Sequence, residues 1–161
     1  MVSGDPIQTY LGHSGSAAAL AFYPLEALLV SGSENTAVHA WNLAAKPQLI
    51  VMKGNSGSLA FSLDGKRLTS GNSAWSAVDG TVLYLADGKA RRGSPAFSSD
   101  GEFVANGPGI LNATSGTKIA PLEVKESGSA FGSPYGVSFS PDGKRIASGG
   151  PEGVIKIWSI E

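Results

Sequence analysis

The chain has 161 residues, 42% apolar and 16% charged, which is enough to bury a core and too apolar for disorder. Its net charge of −1 gives no concentrated basic surface for nucleic acid, and its lack of cysteine excludes disulfide and thiolate chemistry. With 22 glycines and 9 prolines, the composition favours many short strands joined by turns.

In chain order, the first apolar run is "PIQTYLG" (6–12), followed by runs at 18–23, 27–32 and 37–43. A second group occupies 47–53, 58–62, 67–71 and 73–77, and a third 81–86, 94–98, 102–106 and 109–113. A fourth covers 118–124, 135–140, 144–149 and 153–160. Each group contains one copy of a thirteen-residue phrase: "AFYPLEALLVSGS", "AFSLDGKRLTSGN", "AFSSDGEFVANGP" and "SFSPDGKRIASGG". The anchors Phe22, Phe61, Phe97 and Phe139 are spaced by 39, 36 and 42 residues, a period that belongs to helical repeats or propeller blades. Asp64-Gly65, Asp100-Gly101 and Asp142-Gly143 each lie between two short runs, as tight hairpin turns require. No window sustains a 3.6-residue apolar period, so the units are expected to be blades.

Gly12-His13 followed by "SGSENTAVHAWNL", and "FSPDGKRIASGGPEGVIKIWSI" near the C-terminus, resemble the WD-repeat (WD40) β-propeller family. The resemblance implies an all-β fold, a β-propeller of four four-stranded antiparallel blades in one domain spanning 1–161. Its units run roughly 6–43, 47–80, 81–116 and 118–160. It also implies that the N-terminal strand completes the last blade. The sequence departs from the family pattern at the closing dipeptide, which reads Trp41-Asn42, Trp75-Ser76, Leu111-Asn112 and Trp158-Ser159. Phe to closing residue takes 19 positions in the outer units and 14 in the middle two. The family's His–Ser–Asp–Trp network is therefore expected only in the first unit, from His13, Ser31 or Ser33, Asn35 and Trp41. The middle blades are expected to be less rigid. Three arrangements stay open: a closed ring of four, two chains paired in an eight-bladed ring with exchanged first strands, or a portion of a longer protein with open edges.

Trp41, Trp75 and Trp158 recur at one repeat position and read as packing between blades. His13 and His39 are the only histidines and lack companions at ligand spacing, so no metal is expected. The three turn aspartates have no readable nucleophile or base beside them, and no phosphate loop occurs; the chain reads as a non-enzyme without cofactor. The longest connection, "KESGSAFGSPYG" (125–136), carries Phe131 and Tyr135 among small residues, in the manner of a recognition loop. Arg91 and Arg92 border the surface notched by the short middle hairpins, and Arg91-Arg92-Gly93-Ser94 resembles a basophilic kinase site.

The resulting expectation is a protein-interaction scaffold with a peptide- or protein-binding face. Its partner-binding candidates are His13, Asn35, Arg91, Arg92, Phe131, Tyr135 and Glu152. A small-ligand or sugar-binding propeller, or the regulatory sensor portion of a larger signalling protein, are the alternatives. The opening "MVSGDPIQTYLGH" lacks the basic and apolar regions of a secretory signal, and the most apolar stretch (17–30) is interrupted by Pro24 and Glu26. A cytoplasmic location is expected, with no membrane or nucleic-acid partner.

Overall fold

The computed structural model describes residues 6–33, 37–44, 49–53, 58–71, 73–85, 93–106, 109–122, 136–150 and 153–160. Among them are fifteen strands and no helix, arranged in four antiparallel sheets. Sheet 1 contains β1 (Ala17–Phe22), β2 (Leu28–Ser33), β3 (Ala37–Asn42) and β4 (Leu49–Lys53). Sheet 2 contains β5 (Leu59–Phe61), β6 (Arg67–Ser70), β7 (Ser73–Ser76) and β8 (Val82–Leu85). Sheet 3 contains β9 (Ala96–Phe97), β10 (Phe103–Asn106), β11 (Gly109–Asn112) and β12 (Lys118–Pro121). Sheet 4 has three strands: β13 (Gly136–Phe139), β14 (Arg145–Gly149) and β15 (Ile155–Ser159).

Every sheet is a meander in sequence order, and the opening strand of each later group completes the sheet before it: β4 on β3, β8 on β7, β12 on β11. The pairing register repeats. Leu29 faces Trp41, Leu68 faces Trp75, Val104 faces Leu111 and Ile146 faces Trp158. The shorter middle units therefore lose residues only at the hairpin tip, where Ser70 pairs with Ser73 and Asn106 with Gly109.

The turn after each anchor explains the repeated Ser-x-Asp-Gly. Ser62 Oγ donates to Asp64 Oδ1 (2.6 Å) while accepting from Arg67 N (2.9 Å), and Asp64 Oδ1 also accepts from Lys66 N (3.0 Å). Ser98–Asp100 and Ser140–Asp142 repeat that pattern. Gly65, Gly101 and Gly143 sit at φ of 70°, 74° and 71°, a left-handed conformation that a Cβ disfavours. The first unit has Tyr23-Pro24-Leu25-Glu26 here and keeps the backbone bond from Tyr23 N to Leu28 O.

Successive sheets pack front to back. The front of sheet 2 (Leu59, Phe61, Leu68, Trp75) meets the back of sheet 1 (Leu28, Val30, Val38, Ala40). The front of sheet 4 (Val137, Phe139, Ile146, Trp158) meets the back of sheet 3 (Phe103, Ala105, Ile110). Trp75, Leu68 and Ile146 are fully buried in these joints, which accounts for the weak inside–outside alternation of the strands. The inner strands lie in series, β1 beside β5, β5 beside β9 and β9 beside β13. Among the described residues the four sheets stay separate and no closed sheet forms.

The N-terminal strand expected to complete the last blade is not found. Residues 6–12 are irregular, and sheet 4 ends at β15. Of this segment, Tyr10 and Gly12 lie against Trp41 on the front of sheet 1, while Ile7 and Leu11 are exposed. No helix is long and apolar enough to cross a membrane among the described residues.

Candidate interaction surface

His13 is the one partner-binding candidate within the described residues; Asn35, Arg91, Arg92, Phe131, Tyr135 and Glu152 lie outside them. The sequence carries His13 onto the front of sheet 1, where Ser31 on β2 and Trp41 on β3 project side by side. Trp41 Nε1 donates to Ser31 Oγ at 2.7 Å, and His13 Nε2 lies 2.7 Å from the same oxygen. Ser31, rather than Ser33, is thus the centre of the network. His39, opposite Ser31, stacks on His13 with ring centroids 4.0 Å apart and an interplanar angle of 10°. Tyr10 covers Trp41 at 5.2 Å. Burial, and secondarily His13, lower the pKa of His39 below the usual imidazole value of 6.5.

The other sheets preserve this network in part. Trp158 Nε1 donates to Ser148 Oγ at 2.8 Å, so the serine–tryptophan half also forms in the last unit, where it was not expected. In sheet 2 the buried Trp75 Nε1 has no hydrogen-bond partner among the described residues. In sheet 3 Asn106 occupies the serine position opposite a unit closed by Leu111, and both of its amide atoms are buried without a described partner. The sequence signal for the last unit was Ser148, ten residues before Trp158 as Ser31 is before Trp41.

The chain neighbours of the remaining candidates share one end of the sheets. β1 starts where β2 finishes, with Ala17 paired to Ser33, so the β2–β3 connection bearing Asn35 leaves from the end at which inner strands begin. Gly136 pairs with Gly149, so β14 finishes at that end also, three residues ahead of Glu152 in the sequence. Ser94, two residues past Arg92, forms a parallel bridge with Gly136, the residue after Tyr135. Ser94 Oγ also approaches Ser58 Oγ, ahead of β5, at 3.5 Å, and Ser94 itself is exposed.

The three turn aspartates lie in separate sheets, each held by its own serine and backbone N–H, with pKa values lowered chiefly by the serine hydroxyl. Among the described residues no group of three metal-ligating side chains occurs.

A further set of exposed groups escaped the sequence reading. Leu20 and Phe22 on β1 are 67% and 72% exposed, and Ile155 and Ile157 on β15 are 75% and 63% exposed. Their repeat equivalents are packed in the joints between sheets, so the signal was available in the frame, but not which ends lack a neighbour.

Comparison with known proteins agrees with this geometry. Two segments, residues 4–42 and 127–159, match the family described as WD domain, G-beta repeat. No curated protein matches the chain. Among solved structures, the crystal structure of the computationally designed Ika4 protein is similar with a TM-score of 0.71 at 19% identity. The match covers 98% of this chain and 99% of that one, and at this identity the likeness concerns the fold. The chain thus carries two segments that match WD repeats, within an all-β, β-propeller-like architecture.

Proposed function

We propose that the chain is a non-catalytic scaffold that holds a peptide or protein segment at the end of the sheets where the inner strands begin. The observation carrying this reading is the bridge between Ser94 and Gly136, which roots the connection bearing Arg91 and Arg92 beside the one bearing Phe131 and Tyr135. Aromatic side chains and an arginine pair, on the two connections that lead into Ser94 and Gly136, suit capture of a short acidic or apolar peptide. WD repeats support a scaffold role at the level of the family. The sugar-binding reading calls for the same polar and aromatic residues in every unit, whereas the connections here differ in length and composition.

A random peptide library displayed on phage and panned against the chain tests the reading. An enriched motif is expected, with affinity falling at least about tenfold in a Phe131→Ala/Tyr135→Ala double variant of unchanged thermal midpoint. Absence of any enriched motif, or unchanged affinity in that variant, overturns it.

A further inference from the structure

The four units share one register, so the neighbour that each position requires is read from the joints already made. Leu20 corresponds to Leu59 and Val137, and Phe22 to Phe61 and Phe139. These equivalents pack against the preceding sheet, whereas Leu20 and Phe22 stand exposed. On the other end, Ile155 corresponds to Val38, and Ile157 to Ala40 and Ile110. Val38, Ala40 and Ile110 are 0%, 3% and 6% exposed, each covered by the following sheet or by the network within its joint. Among the described residues, sheet 1 thus shows an uncovered front and sheet 4 an uncovered back, the two halves of the joint that the other sheets make.

Two further features fit the same joint. Residues 6–12 lead into the edge of sheet 1 through Gly12, so close to Trp41 that an added Cβ would stand 2.9 Å from the indole, while Ile7 and Leu11 remain exposed. Tyr10 lies on the same ring. Sheet 4, with three strands where the others have four, offers β15 as an open edge. Charge supplies the second feature. Between sheets 2 and 3, Arg67 Nη1 reaches the carbonyl oxygen of Gly101 at 3.3 Å. The equivalents of those two positions at the free ends are Arg145 on sheet 4 and Glu26 on sheet 1, both exposed. A cation and an anion face each other there if the joint forms.

We infer that two copies of this chain join end to end. The back of sheet 4 in each copy packs on the front of sheet 1 in the other. Residues 6–12 of each lie along β15 of its partner as a fourth strand. The occupant is a second copy because the face that fits Leu20 and Phe22 is one this chain carries on its own last sheet. Leu20, Phe22, Ile155 and Ile157 all stand exposed in the single chain, so its two end faces do not cover each other. Two copies are the fewest that cover both ends, and a two-fold axis makes both joints identical.

Sedimentation equilibrium over a range of concentrations reads the result. The expected particle has twice the chain mass of 16.4 kDa. Phe22→Asp and Ile157→Asp, at exposed positions, should each give particles of one chain mass with an unchanged circular dichroism spectrum. Arg145→Glu and Glu26→Arg should each weaken pairing by about tenfold, and the double exchange should restore it. Restoration separates contact across the joint from a general effect of charge. One chain mass at every concentration, an open series of higher masses, or failure of the double exchange to restore pairing overturns the inference. None of these outcomes bears on peptide capture by the connections near Ser94 and Gly136.

Discussion

Trp41 and Ser31, on neighbouring strands of sheet 1, share a 2.7 Å hydrogen bond, and the serine oxygen also meets His13. Ser31 is 3% exposed, so removing its hydroxyl leaves the indole N–H buried without its partner. Ser31→Ala should lower unfolding free energy by about 1–3 kcal/mol. Ser148→Ala, which breaks the one bond from Trp158 in a half-buried setting, should cost less. Urea titrations of the two variants compare them directly; equal midpoints would show that His13 adds nothing to the Ser31 site.

Gly116 and Gly153 have nearly the same backbone, φ of 71° and 72°, but different surroundings. A Cβ on Gly116 would lie 2.6 Å from Tyr84 Cγ, while one on Gly153 meets nothing within 4 Å. Gly153→Ala should cost about 1–2 kcal/mol from the left-handed conformation alone. Gly116→Ala should cost more, because the Tyr84 ring must also move. Thermal midpoints of the pair separate backbone strain from contact.

The stacked histidines make stability depend on mild acid. His39 has a folded pKa below 6.5, lowered first by burial and then by His13. As pH falls below 6.5 the unfolded chain binds a proton that the folded chain refuses, so stability declines until the lowered pKa is reached. The slope in that window is at most about 1.4 kcal/mol per pH unit. Urea midpoints at pH 7.5 and 5.5 should differ in the wild type, and the difference should shrink in His39→Gln.

A separate acid limb comes from the turns. Asp64, Asp100 and Asp142 have pKa values depressed below 3.8, first by the neighbouring serine hydroxyl and then by a backbone N–H. Their contribution is complete above the ordinary carboxylate range and is lost as pH falls through the depressed values. Ser98→Ala should move the Asp100 titration back up towards 3.8, read from its carboxyl carbon shift in NMR, with Asp64 and Asp142 unchanged.

Much of the strand order was legible because it is periodic: the Phe anchors and Asp-Gly turns place β1 to β15 within a few residues of their runs. What "PIQTYLG" would pair with was not legible, since a strand-like run does not state which edge is vacant. The same limit applies to Phe22, whose sequence context matches Phe61 while its surroundings differ entirely. Ser31 could not be separated from Ser33 by pattern, because the choice depends on register across β2 and β3. The Trp158–Ser148 bond lies beyond the family pattern of a complete network, because a tryptophan and a serine on adjacent strands bond without the histidine. The candidate face rests on composition, an aromatic-bearing loop and an arginine pair that lie outside the described residues; next to them the structure shows the Ser94–Gly136 bridge.

The strictly sequential meanders have a consequence for how the chain acquires its structure. Each pairing within a sheet links stretches that follow one another along the chain, so little loop entropy is spent before contacts form. An all-β protein built this way has a low contact order for its class, and it should fold faster than a sandwich of equal size. The meanders of sheets 1 to 3 each find all four strands within one continuous stretch of chain, so their front-to-back joints should assemble in the order of synthesis.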